Sequence, residues 1–184
     1  MRKLGLYFSA ALFALLGLAP SSPVKANDDQ GSIVGTWLLT ASLGPGFVET
    51  ELTAINPGGT FTMTSSVFNP HSSGNPYLPP FLTVDLSDAY GAWRRQGDSN
   101  RFALTFKRLL FAGARTPTDL YGPFFVGQNV GVATIQAVAT LQHGDGDTLE
   151  GPFTFQSRNL RGEVVGTGSG TFSATRLKIE PLTP

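Results

Sequence analysis

The chain has 184 residues, 41% hydrophobic and 14% charged, with 13 Lys and Arg against 13 Asp and Glu and no Cys. Without Cys there is neither a disulfide nor a thiol ligand, and without a basic excess there is no electrostatic footprint for nucleic acid. The length suits one domain whose core needs no covalent staple.

The N-terminus differs from the rest. Arg2 and Lys3 precede an apolar run, Leu4 to Leu18, that is short for a membrane span. Ala19-Pro20-Ser21-Ser22-Pro23 breaks the run, and Val24-Lys25-Ala26 has small or apolar residues where a signal peptidase needs them. Residues 1–26 therefore read as a signal peptide. That predicts an exported protein, periplasmic or extracellular, with no membrane span after cleavage. No Cys follows the run, so a lipid anchor is not expected. Cleavage removes three (Arg2, Lys3, Lys25) of the 13 basic residues and leaves ten against 13 acidic ones. Residues 27–184 are expected to form a single domain.

Eight runs in that domain have the period of two and the β-branched and aromatic content of strands. They are Ser32–Leu43, Phe47–Ile55, Thr60–Phe68, Gly91–Gln96, Arg101–Ala112, Asn129–Gln142, Thr148–Arg158 and Val164–Ile179. Turn signals separate them, among them Gly44-Pro45-Gly46, Asn56-Pro57-Gly58-Gly59 and Gly144-Asp145-Gly146-Asp147. No segment shows sustained helical periodicity. The expected class is all-β.

Each strand predicts its own faces. In the first, Ile33, Gly35, Trp37, Leu39 and Ala41 share the buried side. In the second, Val48, Leu52 and Ala54 are expected to face the core, with Glu49, Glu51 and Thr53 in water. In the fifth, Phe102, Leu104, Phe106 and Leu110 face inward. Strict alternation would also turn Arg108 inward, and a bulge near Lys107–Leu109 is the blander expectation. In the sixth, Gly131, Ala133, Ile135, Ala137 and Ala139 oppose Val130, Val132 and Val138, whose apolar side is a possible homo-oligomer contact through residues 129–142. In the seventh, Leu149, Gly151, Phe153 and Phe155 face inward, and Pro152 predicts a bulge or a gap in the ladder. The last strand puts Gly166, Gly168, Gly170, Phe172, Ala174 and Arg176 on one side. Its glycine row either accepts large side chains from other strands or leaves a cavity wall bare.

Joined in sequence, eight antiparallel strands make an up-and-down meander, and closure into a barrel removes its edges. Connections then alternate between the two ends. The two long ones, Asn69 to Tyr90 and Gly113 to Gln128, are the third and fifth, so they share one mouth. Both are rich in aromatics and Pro, including Tyr77, Phe81, Tyr121 and Phe124, which suits an apolar lid better than a disordered loop. The opposite end has only short turns and is expected to be closed.

Gly35-Thr36-Trp37 on the first strand, with Arg176 near the end of the last, resembles the calycin pattern of lipocalins and their relatives. In that family the tryptophan sits at the closed end of an eight-stranded barrel and an arginine from the final strand packs across its ring. The resemblance thus implies a structural role for Gly35, Trp37 and Arg176. The mature chain is also similar to small exported bacterial lipocalin-like proteins, through Asn56-Pro57-Gly58-Gly59-Thr60, Gly91-Ala92-Trp93 and a terminal Gly-Thr-Gly run ending in Arg. The allene oxide cyclase barrel is a second fold it resembles. The chain departs from lipocalins in having no disulfide pair, no second arginine-bearing motif and no C-terminal helix.

Other chemistry is scarce. His143-Gly144-Asp145-Gly146-Asp147 is a hairpin turn with too few oxygens for calcium, and His71 is a loop histidine with no partner fixed by spacing. Gly166-x-Gly168-x-Gly170 is not followed by a helix, so it is no nucleotide loop. No metal and no cofactor are expected. The leading expectation is a binding module for a small apolar ligand, with Phe102, Phe106, Leu110 and Phe153 as wall and Tyr77, Phe81, Tyr121 and Phe124 as lid. The alternatives are a cyclase or isomerase acting on an apolar substrate, with Arg108 or Arg95 as its charged group, and a ligand-free oligomeric barrel.

Overall fold

The computed structural model describes residues 32–44, 47–65, 84–142 and 146–178. Its elements are β1 (Gly35–Gly44), β2 (Phe47–Ile55), β3 (Thr60–Ser65), β4 (Val84–Leu86), β5 (Ala89–Arg95), β6 (Arg101–Ala112), α1 (Thr118–Tyr121), β7 (Asn129–Leu141), β8 (Thr148–Asn159) and β9 (Val164–Arg176). β4 and β5 pair with successive stretches of β6, so they are one interrupted strand. With that counted once, eight strands pair antiparallel in chain order, and β1 pairs with β9 to close the barrel. Closure pairs β1 on both sides, with β2 and with β9, so the sheet does not end at its first or last strand. The fourth strand starts at Val84, earlier than the sequence suggests, because three residues are too few to show a period. α1 is equally hidden, being a single turn.

Glycines fit this barrel where large neighbours need room. In β9, Gly168 and Gly170 face Phe155 and Phe153 across the β8–β9 ladder, and a Cβ at either would run into those rings. The glycine row thus accepts aromatic side chains. Gly91 does the same for Phe61 and Phe106, whose rings meet edge to face at 5.5 Å. At Pro152, which cannot donate, the β7–β8 pairing skips from Ala137↔Phe153 to Thr140↔Glu150.

The first strand and the last meet at the closed end. Trp37 lies opposite Arg176, is 1% exposed, and has the Arg176 guanidinium 4.3 Å from its ring centroid. The indole N–H donates to the Ile33 carbonyl at 2.9 Å. Arg176 in turn donates to the carbonyls of Val34, Ser32 and Gly146 at 2.6–3.2 Å. Gly35 makes this possible. Its φ is +144°, and a Cβ there would sit 2.7 Å from Arg176 Nη1. Ile55, Phe61, Phe102, Leu141, Leu149 and Ala174 complete the closed-end core.

Three faces differ from the sequence expectation. The largest difference is β2, which is turned over: Glu51, Thr53 and Ile55 are buried, while Val48 and Leu52 are exposed. Residues directly opposite in an antiparallel pair point to the same side. Trp37 lies opposite Thr53 and Leu39 opposite Glu51, while Ile55 and Thr53 lie opposite Phe61 and Met63. The buried Trp37 and Phe61 therefore fix the facing of β2 from both flanks. Its own amphipathic pattern loses.

The second difference concerns Arg108. β6 alternates without a break through Leu104, Phe106, Arg108 and Leu110, and Arg108 is 4% exposed. The bulge lies in the partner strand: the pairing with β6 shifts by one residue between Leu86↔Leu110 and Tyr90↔Lys107, at Ser87-Asp88. The third is Val130, expected on the outer face. The β6–β7 register shifts between Leu110↔Gly131 and Phe111↔Asn129, so Val130 is the extra residue and is buried.

A charged group in the barrel lumen

A cavity of about 120 Å³ lies inside the barrel, bounded mainly by apolar side chains. Trp37, Leu39, Ile55, Phe172 and Ala174 form its floor at the closed end, and Phe106, Leu110, Ile135, Phe153 and Phe155 its wall. Small residues create the space. Ala133, Ala137 and Ala139 of β7 line one side where larger side chains would fill it. Five polar side chains interrupt this surface: Glu49, Glu51, Thr53, Arg108 and Ser157.

Arg108 is the centre of that polar set. Its guanidinium reaches from β6 to β2, donating from Nη2 to Glu51 Oε1, with Glu49 Oε1 3.8 Å from Nη1. Nη2 also contacts Met63 Sδ at 3.2 Å. The break at Ser87 contributes the remaining partner, a backbone carbonyl 3.4 Å from Nη1. The break is itself held in place. Ser87 N–H donates to the Leu109 carbonyl at 3.0 Å, and Leu109 N–H donates to Ser87 Oγ at 2.9 Å.

Burial lowers the Arg108 pKa from its ordinary value, and the nearby Glu49 carboxylate acts the other way. A guanidinium starts so high that it stays charged. Thr53 differs from its neighbours. It is 2% exposed, it lines the same cavity, and its Oγ1 has no hydrogen-bond partner. A buried hydroxyl left so costs about 1–3 kcal/mol.

The residues singled out by sequence fall in several places. Phe106, Leu110, Phe153 and Arg108 line the cavity, and Trp37 is in its floor as well as at the closed end. Phe102 lies in the closed-end core, away from the cavity lining. Arg95 is exposed at that end, with its guanidinium 5.1 Å from the Phe102 centroid, and the fold does not bring it to Arg108. Tyr121 is buried in a second cluster with Leu110, Val130 and Ala133, against which Phe124 packs. The connection bearing Tyr121 is tied down by Asn159, which donates to the Leu120 carbonyl at 2.9 Å. Burial pushes the Tyr121 phenol up to about 12. Tyr77, Phe81, His71 and His143 lie outside the described residues. Val132 and Val138 are half-buried on β7. Among the described residues no group of three or more His, Cys, Asp or Glu converges as a metal site.

Glu49, Glu51 and Thr53 were missed as lumen residues. Their signal was present in the sequence: with Trp37 inward and a short hairpin after it, the register passes inwardness to every second residue of β2.

Fold and site together define a class: a closed eight-stranded antiparallel barrel with a mainly apolar lumen that holds an arginine and two carboxylates. Compared with protein-family models and with curated proteins, the chain matches none.

Proposed function

We propose that the protein is an exported lipocalin-like barrel that holds one small, mainly apolar molecule in its lumen. The observation that carries this reading is the apolar cavity of about 120 Å³ above the closed end. Eight-stranded barrels leave room for side chains or for one small ligand. An apolar cavity of roughly 150 Å³ takes up benzene, so the ligand, or the part of it that enters, is of that size. The Trp37–Arg176 pair and the meander topology support the lipocalin-like assignment, and residues 1–26 support export.

Calorimetric titration of the mature protein with toluene tests the reading. Saturable binding is expected, with Kd roughly 0.1–1 mM for a seven-atom ligand. Ala137→Leu, which fills the cavity from β7, abolishes it. No uptake of toluene, or equal uptake by Ala137→Leu, overturns the binding reading.

One observation favours a second reading. Arg108 faces the cavity, as a cyclase or isomerase acting on an apolar substrate would require of its charged group. That reading demands turnover, lost in Arg108→Ala in a variant that still takes up toluene.

A further inference from the structure

We infer that the lumen selects an apolar amine over the corresponding acid. The inference rests on the binding reading above and names the ligand's polar group. The described lumen residues hold two carboxylates, Glu49 and Glu51, and one cation, Arg108, which sits against both. An incoming carboxylate finds Arg108 already engaged, with two like charges beside it, in a place where water does not screen them. It is repelled. An ammonium meets the opposite field, because the two carboxylates outnumber the guanidinium.

A second observation is independent of these charges. Thr53 Oγ1 is fully buried, lines the same cavity and has no hydrogen-bond partner. Thr53 and Glu51 are two apart on β2 and both point into the lumen. A hydroxyl accepts from an ammonium or donates to a carboxylate, so Thr53 calls for a polar group on the ligand, and the two neighbouring carboxylates decide that this group is a cation. A polar atom kept buried without a partner is most simply understood as completed by the ligand. The surrounding wall of Phe106, Ile135 and Phe153 fits an apolar body attached to that amine. A site with buried groups built to pair with one polar group rejects the analogue lacking it more strongly than an apolar pocket rejects a misfit.

Four probes of one shape test this: toluene, benzyl alcohol, benzylamine and benzoate, titrated at pH 7 into the mature protein. The expected result is benzylamine at least about tenfold tighter than benzyl alcohol, with no binding of benzoate. Glu49→Gln brings benzylamine down towards benzyl alcohol, by more than any change in toluene. Glu49 is the more open of the two carboxylates and the more distant from Arg108, so this variant keeps the Arg108–Glu51 contact that supports folding. Thr53→Val weakens benzylamine more than it changes toluene. Benzoate binding as tightly as benzylamine overturns the inference, as does an amine preference that survives Glu49→Gln. If toluene binds and benzylamine does not, the amine inference alone is lost. If none of the four binds, the binding reading falls as well.

Discussion

Two arginines of the barrel each lean on β1 or β2 from across the sheet, and they are satisfied in opposite ways. Arg176 at the closed end is held mainly by neutral groups, three backbone carbonyls and the face of Trp37, and adds an ion pair with Asp147 at 3.4 Å where both side chains still touch water. Arg108 in the lumen is held by Glu51, with Glu49 beside it and almost no water. At the rim, water shares in the solvation of a guanidinium, so carbonyl dipoles, an indole and a partly exposed carboxylate suffice. Inside, a full opposite charge is needed to offset desolvation. One carboxylate would meet that need. Among the described residues two carboxylates stand beside Arg108, Glu51 in contact with it and Glu49 at 3.8 Å.

The largest effect that could break this comparison is loss of the lumen guanidinium. Arg108→Met leaves two carboxylates facing apolar walls, and we expect it to cost about 3–5 kcal/mol in urea denaturation. Arg108→Met combined with Glu51→Met should recover part of that loss, because it also removes the more deeply buried of the two carboxylates. A double variant no more stable than the single one would show that packing, not charge, is what Arg108 supplies. Next in size is Arg176→Met. It gives up the contact with Trp37, about 0.5–2 kcal/mol, but its carbonyl partners can turn to water, so the total is about 1–3 kcal/mol. Equal costs at the two sites would erase the distinction between rim and lumen. Toluene uptake should survive Arg176→Met in protein that remains folded.

How far the sequence carries depends on which contacts decide each feature. The barrel was legible because period-two runs, turn residues and connection lengths are local, and closure follows from joining them in order. The Trp37–Arg176 pair was legible too, since the meander alone brings the start of β1 to the end of β9. β2 was not legible by itself. Val48, Leu52 and Ala54 make one face look like core, yet the buried Trp37 and Phe61 on the flanking strands set the register against them. Once β2 is reversed, Glu51 lies inside, and an inward Arg108 becomes a partner in place of an anomaly. Strict alternation in β6 already said as much. The bulge that seemed to excuse Arg108 belongs to the neighbouring strand, at Ser87, inside a segment too short and irregular to read.

The mouth offers a smaller test, on Tyr121. Burial raises its folded pKa to about 12, above the ordinary value of 10.0. The folded state therefore holds the phenol proton where the unfolded state has begun to lose it. The contribution is fully present below pH 10 and is lost as pH rises towards 12. Lysines titrate in the same range, so the informative quantity is the part of the fall in urea midpoint that Tyr121→Phe removes. A fall unchanged in Tyr121→Phe would mean that the phenol meets water in the folded protein.

The smallest effect belongs to a third arginine. Arg161 and Glu163 form an ion pair of 2.7 Å with both side chains more than half exposed. The side-chain hydrogen bond raises the Arg161 pKa and lowers that of Glu163, as expected of a bonded pair. Exposed pairs of this kind are nonetheless screened and add little. The turn they occupy is held by the Asn159 side chain instead, whose Oδ1 accepts from the backbone N–H groups of Arg161 and Glu163 and whose Nδ2 donates to the Leu120 carbonyl. Arg161→Ala keeps all three of those bonds, because two use the backbone of residues 161 and 163 and the third does not involve them. Its urea midpoint should match that of the unaltered protein. A loss as large as that of Arg176→Met would mean that access to water does not rank these arginines, and the contrast between rim and lumen would need another cause.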